Sequence, residues 1–206
     1  MLLIGLTGSI AMGKSATADM FRQLGIPVFD ADAAVHSLYA EGGEAVGPVA
    51  QLYPEAVKSG VVDRGELAKI VLGDPAKIKA LEAVVHPLVR AREAAFLSNA
   101  RDTNADMVVL DIPLLFETGQ QGRVDCIVVV SAPAAIQRER ALARPGMTEA
   151  KLDAILARQM PDREKRAKAD FVVDSSKGLE NAFEQVRAII ATLRQRQRPS
   201  NLGDKR

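Results

Sequence analysis

Disulfide chemistry has almost no material in this chain: one of the 206 residues is cysteine, and Cys126 sits in an apolar run without a partner. An intramolecular disulfide and a zinc site built from several cysteines are thereby excluded, and a reducing cytosol is the expected setting. A surplus of charge is equally lacking. Twenty-seven Lys and Arg face 26 Asp and Glu, a formal net charge of +1, which argues against a nucleic-acid partner held by a polyanion-binding surface. Disorder is also disfavoured, since 48% of the residues are hydrophobic. Long apolar runs are missing too. The stretch Leu2 to Leu6 is too short for a membrane span or the core of an export signal, and a glycine-rich loop follows at once, so the expectation is a soluble, unexported protein with no membrane partner. There is no internal repeat and no low-complexity block. The segment 195–206 is basic, contains Pro199 and Gly203, and has Leu202 as its one apolar residue, which predicts a disordered tail.

Five short apolar runs are present: Leu2 to Leu6, Ile26 to Phe29, Met107 to Leu110, Cys126 to Val130 and Phe171 to Val173. Separated mostly by helical patterns, they read as buried parallel strands of an α/β fold. Leu179, Phe183, Val186, Ile190 and Leu193 recur at spacings of three or four and predict a helix that packs on the sheet. A second pattern, through Ile78, Leu81, Val84, Val85 and Leu88, meets Pro87, which predicts a break or kink near His86. The second and third strands are about 75 residues apart, far more than one crossover helix needs, so an inserted helical subdomain is expected there. From Gln137 to Lys168 nine basic residues face five acidic ones. Pro145, Gly146 and Thr148 in that segment signal a turn and then a helix cap, and its charges read as a solvated face.

The sharpest motif runs Gly8-Ser9-Ile10-Ala11-Met12-Gly13-Lys14-Ser15, matching G-x-x-x-x-G-K-[ST] between a strand and a helix. Glycines let such a loop curl until successive N–H groups point at phosphate oxygens, and the helix that follows adds the positive end of its dipole. Gly8, Ala11, Met12, Gly13, Lys14, Ser15 and Ala16 are therefore expected to hold ATP. The lysine would reach the outer phosphates, and the Ser15 hydroxyl is placed to ligate Mg²⁺. Gly25 is a suitable stop for the helix. No N-K-x-D motif and no D-x-x-G after the third strand is present, which disfavours a GTPase.

Other residues suit phosphoryl transfer. Asp30 and Asp32 leave the second strand two apart, so in extended geometry their carboxylates share a face and could bracket a hydroxyl. Capping the next helix is the competing use of both. Asp111, ending the third strand, could orient Mg²⁺ through water, or be a plain strand-end aspartate. Arg140 and Arg144 are four apart and would share one helix face, suited to clamping phosphate oxygens or simply to solvent.

Taken in order, these residues resemble the dephospho-coenzyme A kinase family. The resemblance rests on the loop, Phe29-Asp30-Ala31-Asp32, Asp63-Arg64, His86-Pro87 with Arg90, Ile112-Pro113-Leu114-Leu115-Phe116-Glu117, and Gln137 with Arg140 and Arg144. It implies a three-layer P-loop kinase fold with a five-stranded parallel sheet, a helical coenzyme A insert and a lid. On that pattern the core is 1–30, 100–136 and 169–194, the insert about 31–99, the lid about 137–168. It implies ATP-dependent phosphorylation of the ribose 3′-hydroxyl of dephospho-coenzyme A, with Mg²⁺. Asp32 is then the base among the two carboxylates, with Lys14 and Arg140 as its catalytic companions and Arg144 on the nucleotide. Asp30, His86 and Arg90 join Asp32 in holding the substrate. Three departures stand out. Ala11 occupies a position that is commonly glycine and Ala16 one that is commonly threonine, while Ser175 and Ser176 replace a frequent asparagine-glycine. A nucleoside monophosphate kinase and a non-catalytic ATP-binding module are the alternative readings. Carboxylates would repel the anionic acceptor of the first. The presence of Lys14, Ser15 and Asp32 together speaks against the second.

Overall fold

The structure, a computed structural model, describes residues 1–197. Two compact units form among the described residues: one comprises Met1 to Val28 and Thr103 to Gln197, the other Phe29 to Asp102.

Strands β1 (Leu2–Thr7), β5 (Met107–Asp111), β6 (Cys126–Ser131) and β7 (Phe171–Asp174) belong to the first unit, and the chain passes into the second within the edge strand β2 (Val28–Asp30); the five form one sheet in the order β2-β5-β1-β6-β7. β5, β1, β6 and β7 pair in parallel, with Leu6 opposite Asp111 and Thr7 opposite Val129. The α/β parallel-sheet expectation is met. Strands buried on both faces need side chains that avoid water on both, which is why these runs are continuously apolar rather than alternating. One face carries α1 (Lys14–Gln23) and α9 (Leu179–Gln197). Phe21, Met20 and Ala18 of α1 meet Val186, Ile190 and Leu193 of α9 over Ile4, Leu6, Met107, Val109, Val128 and Val130. Leu179, expected on that stripe, is 71% exposed, because the helix begins there and its first turn overhangs the sheet. Gln195 to Gln197 belong to α9 rather than to a disordered tail; the remainder of that tail lies outside the described residues. Between β6 and β7 run α6 (Ala134–Leu142), α7 (Glu149–Leu156) and α8 (Asp162–Ala167). Thr148 caps α7 as its sequence position suggests, accepting a bond from the Lys151 amide at 3.3 Å.

The second unit has α2 (Ala31–Tyr39), α3 (Val46–Leu52), α4 (Arg64–Val71) and α5 (Pro75–Asp102), with a small antiparallel pair, β3 (Val57–Lys58) and β4 (Val61–Val62). Ser59 and Gly60 both take positive φ, 50° and 76°, as a two-residue hairpin turn requires. This hairpin was not expected, since strands of two residues leave no periodicity to read. Pro87 corrects a further expectation: α5 continues unbroken through it. An interior proline costs a helix about 3 kcal/mol. Ile78, Leu81 and Val85 before it, and Leu88 and Val89 after it, all pack into one cluster with Val49, Tyr53 and Leu67. Burying a single such side chain is worth about 1.5–3 kcal/mol, so the packed residues on either side outweigh the lost bond.

Candidate active site

The loop after β1 takes its shape from contacts that only certain residues permit. At Gly8 a β-carbon would come within 2.8 Å of the Val130 carbonyl oxygen, so the loop can leave the sheet there only without a side chain. Gly13 lies at φ 92°, directly ahead of α1, where an L side chain is strained. It gives α1 no side-chain cap, and the first turn holds no acidic residue. The amino end of α1 thus presents unsatisfied N–H groups and the positive end of its dipole with nothing anionic in its own first turn to quench them, the arrangement that binds phosphate.

Lys14 opens this helix, and its Nζ is paired with Asp111 Oδ1. Parallel register explains the meeting. Leu6 lies opposite Asp111, so the end of β5 stands beside the root of the loop that leaves β1. Asp111 is 3% exposed, and the Lys14 ammonium gives its carboxyl a polar partner where water is excluded. Ser15, the other expected metal ligand, is exposed on the first turn of α1.

Arg140 reaches across from α6. Its guanidinium donates to Ser175 Oγ at 2.9 Å and to the Ser175 carbonyl at 2.8 Å, while Ser175 Oγ donates to the Met12 carbonyl at 2.7 Å. Ser175 therefore joins the arginine to the loop. Arg144 does not share a helix face with Arg140, since α6 ends at Leu142 and the chain has turned by residue 144. Both arginines nevertheless line one cavity of about 300 Å³ with Gly13, Ala16, Thr17 and Ser175. A larger cavity, about 450 Å³, is lined by Met12, Asp162, Arg166 and Asp174. Its two carboxylates outnumber its one arginine and disfavour a polyphosphate, whereas the smaller cavity carries two arginines and no carboxylate and is the better suited to a nucleotide.

Ala11 takes φ 62°, a left-handed conformation that is costly for a residue with a β-carbon. Its methyl is buried with Ala141 and Leu152, and Ile10, Leu142, Met147 and Leu156 pack around them. The methyl that replaces the common glycine hydrogen thus packs in an apolar cluster at the edge of the arginine-lined cavity.

The other candidates belong to the second unit. Asp30 and Asp32 do not share an extended face, because α2 begins between them at Ala31. Asp30 is the cap of α2, accepting from the Ala33 amide at 2.9 Å, and Asp32 sits exposed in its first turn. Backbone N–H groups left open at a helix start attract such a short carboxylate, and that local demand overrides strand geometry. His36 is exposed in the last turn of α2, and His86 and Arg90 are exposed on α5.

Two features escaped sequence reading. Lys165 is wholly buried, not part of a solvated face, and its Nζ lies 2.9 Å from Glu117 Oε1. Burial pushes the Glu117 carboxyl up, but the Lys165 ammonium and the Met160 amide, which donates to it at 2.8 Å, outweigh this and hold it below the ordinary value. Gln159, in the segment joining α7 to α8, accepts a bond from the Ile10 amide of the loop at 3.1 Å. Neither partnership leaves a local signal, since each joins residues 48 or more positions apart.

Comparison with known proteins gives this geometry a family. Dephospho-CoA kinases of Mesorhizobium japonicum and Cereibacter sphaeroides are 58% and 56% identical to the chain, over 94% and 93% of it and 98% and 95% of theirs. A crystal structure of a Thermus thermophilus protein superposes with a TM-score of 0.79 at 39% identity, covering 93% of this chain and 97% of that one. Dephospho-CoA kinase from Campylobacter jejuni, at 22% identity and a TM-score of 0.65, shares the fold over 93% of this chain and 96% of its own. The family model for dephospho-CoA kinase matches residues 2–181, and the chain belongs to the dephospho-CoA kinase family.

Proposed function

We propose that this chain transfers the γ-phosphoryl group of ATP to the ribose 3′-hydroxyl of dephospho-coenzyme A, giving coenzyme A and ADP. The observation that carries the reading is the uncapped amino end of α1, with Lys14 beside it and Arg140 and Arg144 lining the adjoining cavity, in a chain of this family. In the reaction the 3′-oxygen bonds to the γ-phosphorus, the bond from that phosphorus to the β-bridging oxygen breaks, and ADP leaves. The hydroxyl proton passes to Asp32, which is exposed in the first turn of α2. The N–H groups of Ala11 and of Gly13 to Ala16 cradle the phosphates; that of Met12 closes the loop, donating to the Ser9 carbonyl at 3.2 Å. Lys14 exchanges part of its bond with Asp111 for the γ-phosphate, and the two arginines balance charge on the transferring group.

Asp30, by capping α2, fixes the turn that carries Asp32, and His86 and Arg90 hold the coenzyme portion of the substrate. Ser15 offers a hydroxyl and Asp111 a carboxylate, both hard oxygen donors that fit Mg²⁺. Among the described residues no three His, Cys, Asp or Glu side chains cluster; this suits an ion held by a serine, phosphate oxygens and water rather than by a protein cage. When bound, Mg²⁺ would neutralise phosphate charge. No helix among the described residues is long and apolar enough to cross a membrane, and we place the enzyme in the cytosol, where ATP is available and the single cysteine stays reduced.

The deciding experiment is a coupled ADP-release assay across dephospho-coenzyme A, AMP, CMP and shikimate. Turnover with dephospho-coenzyme A far above the others is expected. Turnover confined to AMP or CMP would transfer the assignment to the nucleoside monophosphate kinases.

A further inference from the structure

The phosphate loop is held by side chains from the segment that follows β6. Ile10 is held through both of its backbone polar groups, which belong to the two successive peptide groups flanking its α-carbon. Its N–H donates to Gln159 Oε1 at 3.1 Å, and its C=O accepts from Gln137 Nε2 at 2.9 Å. The amide orientations follow from the partners, since a backbone N–H can meet only the oxygen of a glutamine and a backbone C=O only its nitrogen. Gln137 is 7% exposed, so its bond is made where water competes poorly.

Gln159 is itself anchored. The next amide, Met160 N, donates to Glu117 Oε1 at 2.8 Å, Glu117 meets the buried Lys165 at 2.9 Å, and Ser131 Oγ donates to Asp162 Oδ2 at 2.7 Å. The limb from Gln159 to Lys165 is thus tied to the ends of three strands: to the loop after β1, to the loop after β5, and to the last residue of β6. Residue 11, the neighbour of the doubly held Ile10, takes the left-handed turn at φ 62°. A left-handed alanine persists only where its surroundings over-determine it. Here they are the two glutamine bonds on one side, the Ser175 bond to the Met12 carbonyl on the other, and the apolar seat of the Ala11 methyl.

We propose that Gln159 and Gln137 are positioning residues of the phosphate loop: holding the peptide groups before and after the Ile10 α-carbon, they set the turn at Ala11 and so the aim of the N–H groups that follow. Neither lines the arginine-bearing cavity. Through them the segment between β6 and β7 governs nucleotide affinity. The inference deepens the nucleotide-site reading and rests on it for affinity alone; the bond to the Ile10 amide can be tested without nucleotide, so failure of one is separable from failure of the other.

The test uses the full chain and three variants, Gln159→Met, Gln159→Glu and Gln137→Met. Amide hydrogen exchange is read by NMR without nucleotide, and ADP affinity by calorimetry. In Gln159→Met the Ile10 amide should exchange about tenfold faster, the scale of one lost hydrogen bond, with the strand amides of Leu6 and Val128 unchanged. Gln159→Glu keeps an acceptor and should restore protection of Ile10. Both methionine variants should weaken ADP binding about three- to tenfold. Unchanged Ile10 exchange in Gln159→Met would overturn the proposal. So would faster exchange spread over the strand amides, which marks a merely structural residue, and so would faster Ile10 exchange with unaltered ADP affinity in both methionine variants.

Discussion

Replacing Lys165 by methionine tests the pair that anchors α8. The side chain is of similar length and apolar, so its space stays filled while the charge is lost. Lys165 is 0% exposed and Glu117 14%, and Glu117 Oε2 is buried without a hydrogen-bond partner. The carboxylate would lose its cation and keep the Met160 amide. Breaking a buried pair from one side costs about 3–5 kcal/mol, because the remaining charge stays desolvated. For a chain of this size each kcal/mol lowers the melting temperature by about 2–4 °C, so thermal melts at pH 7.5 should fall by roughly 6–20 °C. The pH dependence carries the sharper sign. In the native chain the Glu117 carboxyl is held below its ordinary 4.5; its contribution is present above that value and is lost as pH falls through the lower folded one. Without Lys165, burial dominates and raises the carboxyl, so protonation relieves the variant and its deficit should shrink between pH 7 and pH 5. Glu117→Gln added to Lys165→Met keeps an acceptor for Met160 and removes the stranded charge, and it should recover most of the loss. A deficit below about 1 kcal/mol, or one that grows as pH falls, would refute the reasoning.

Asp32→Asn should lower kcat by roughly 10²-fold with little change in ADP affinity, the scale for losing a positioned base; Asp30→Asn, which can still cap α2, should lose less, and the reverse order in steady-state rates would exchange the two roles. Lys14→Ala should abolish turnover while circular dichroism still shows the folded spectrum, with a lower melting temperature because the buried Asp111 loses its cation. Ala16→Thr should tighten ADP binding or leave it unaltered, since residue 16 lines the arginine-bearing cavity and a hydroxyl adds a possible phosphate contact; clear weakening by calorimetry would mean the site requires the smaller side chain. Cys126 is 4% exposed, and burial together with nearby Asp170 pushes its thiol up to about 12, so a maleimide should leave it unlabelled at pH 8 until the chain is unfolded.

What the sequence by itself determined lies within short stretches of chain. The strand, the loop from Gly8 to Ser15 and the helix after it were legible because phosphate geometry demands specific residues in unbroken succession. The long helix at the end was legible because its buried positions recur with the helical period, and Thr148 because a cap acts within three residues. Where local signals compete, reading along the chain failed. Asp30 and Asp32 have the spacing of a strand face, but the amides of a beginning helix claimed Asp30, and Pro87 forbids by propensity what packing on both sides enforced. Strand order and register, which sequence separation does not encode, brought Asp111 to Lys14. The same long-range assembly buried Lys165 against Glu117 and laid Gln159 on the Ile10 peptide. A charge or an amide in a polar stretch looks alike whether solvent or protein completes it, and only the folded chain, by excluding water from some of these groups and not from others, decides which become structure.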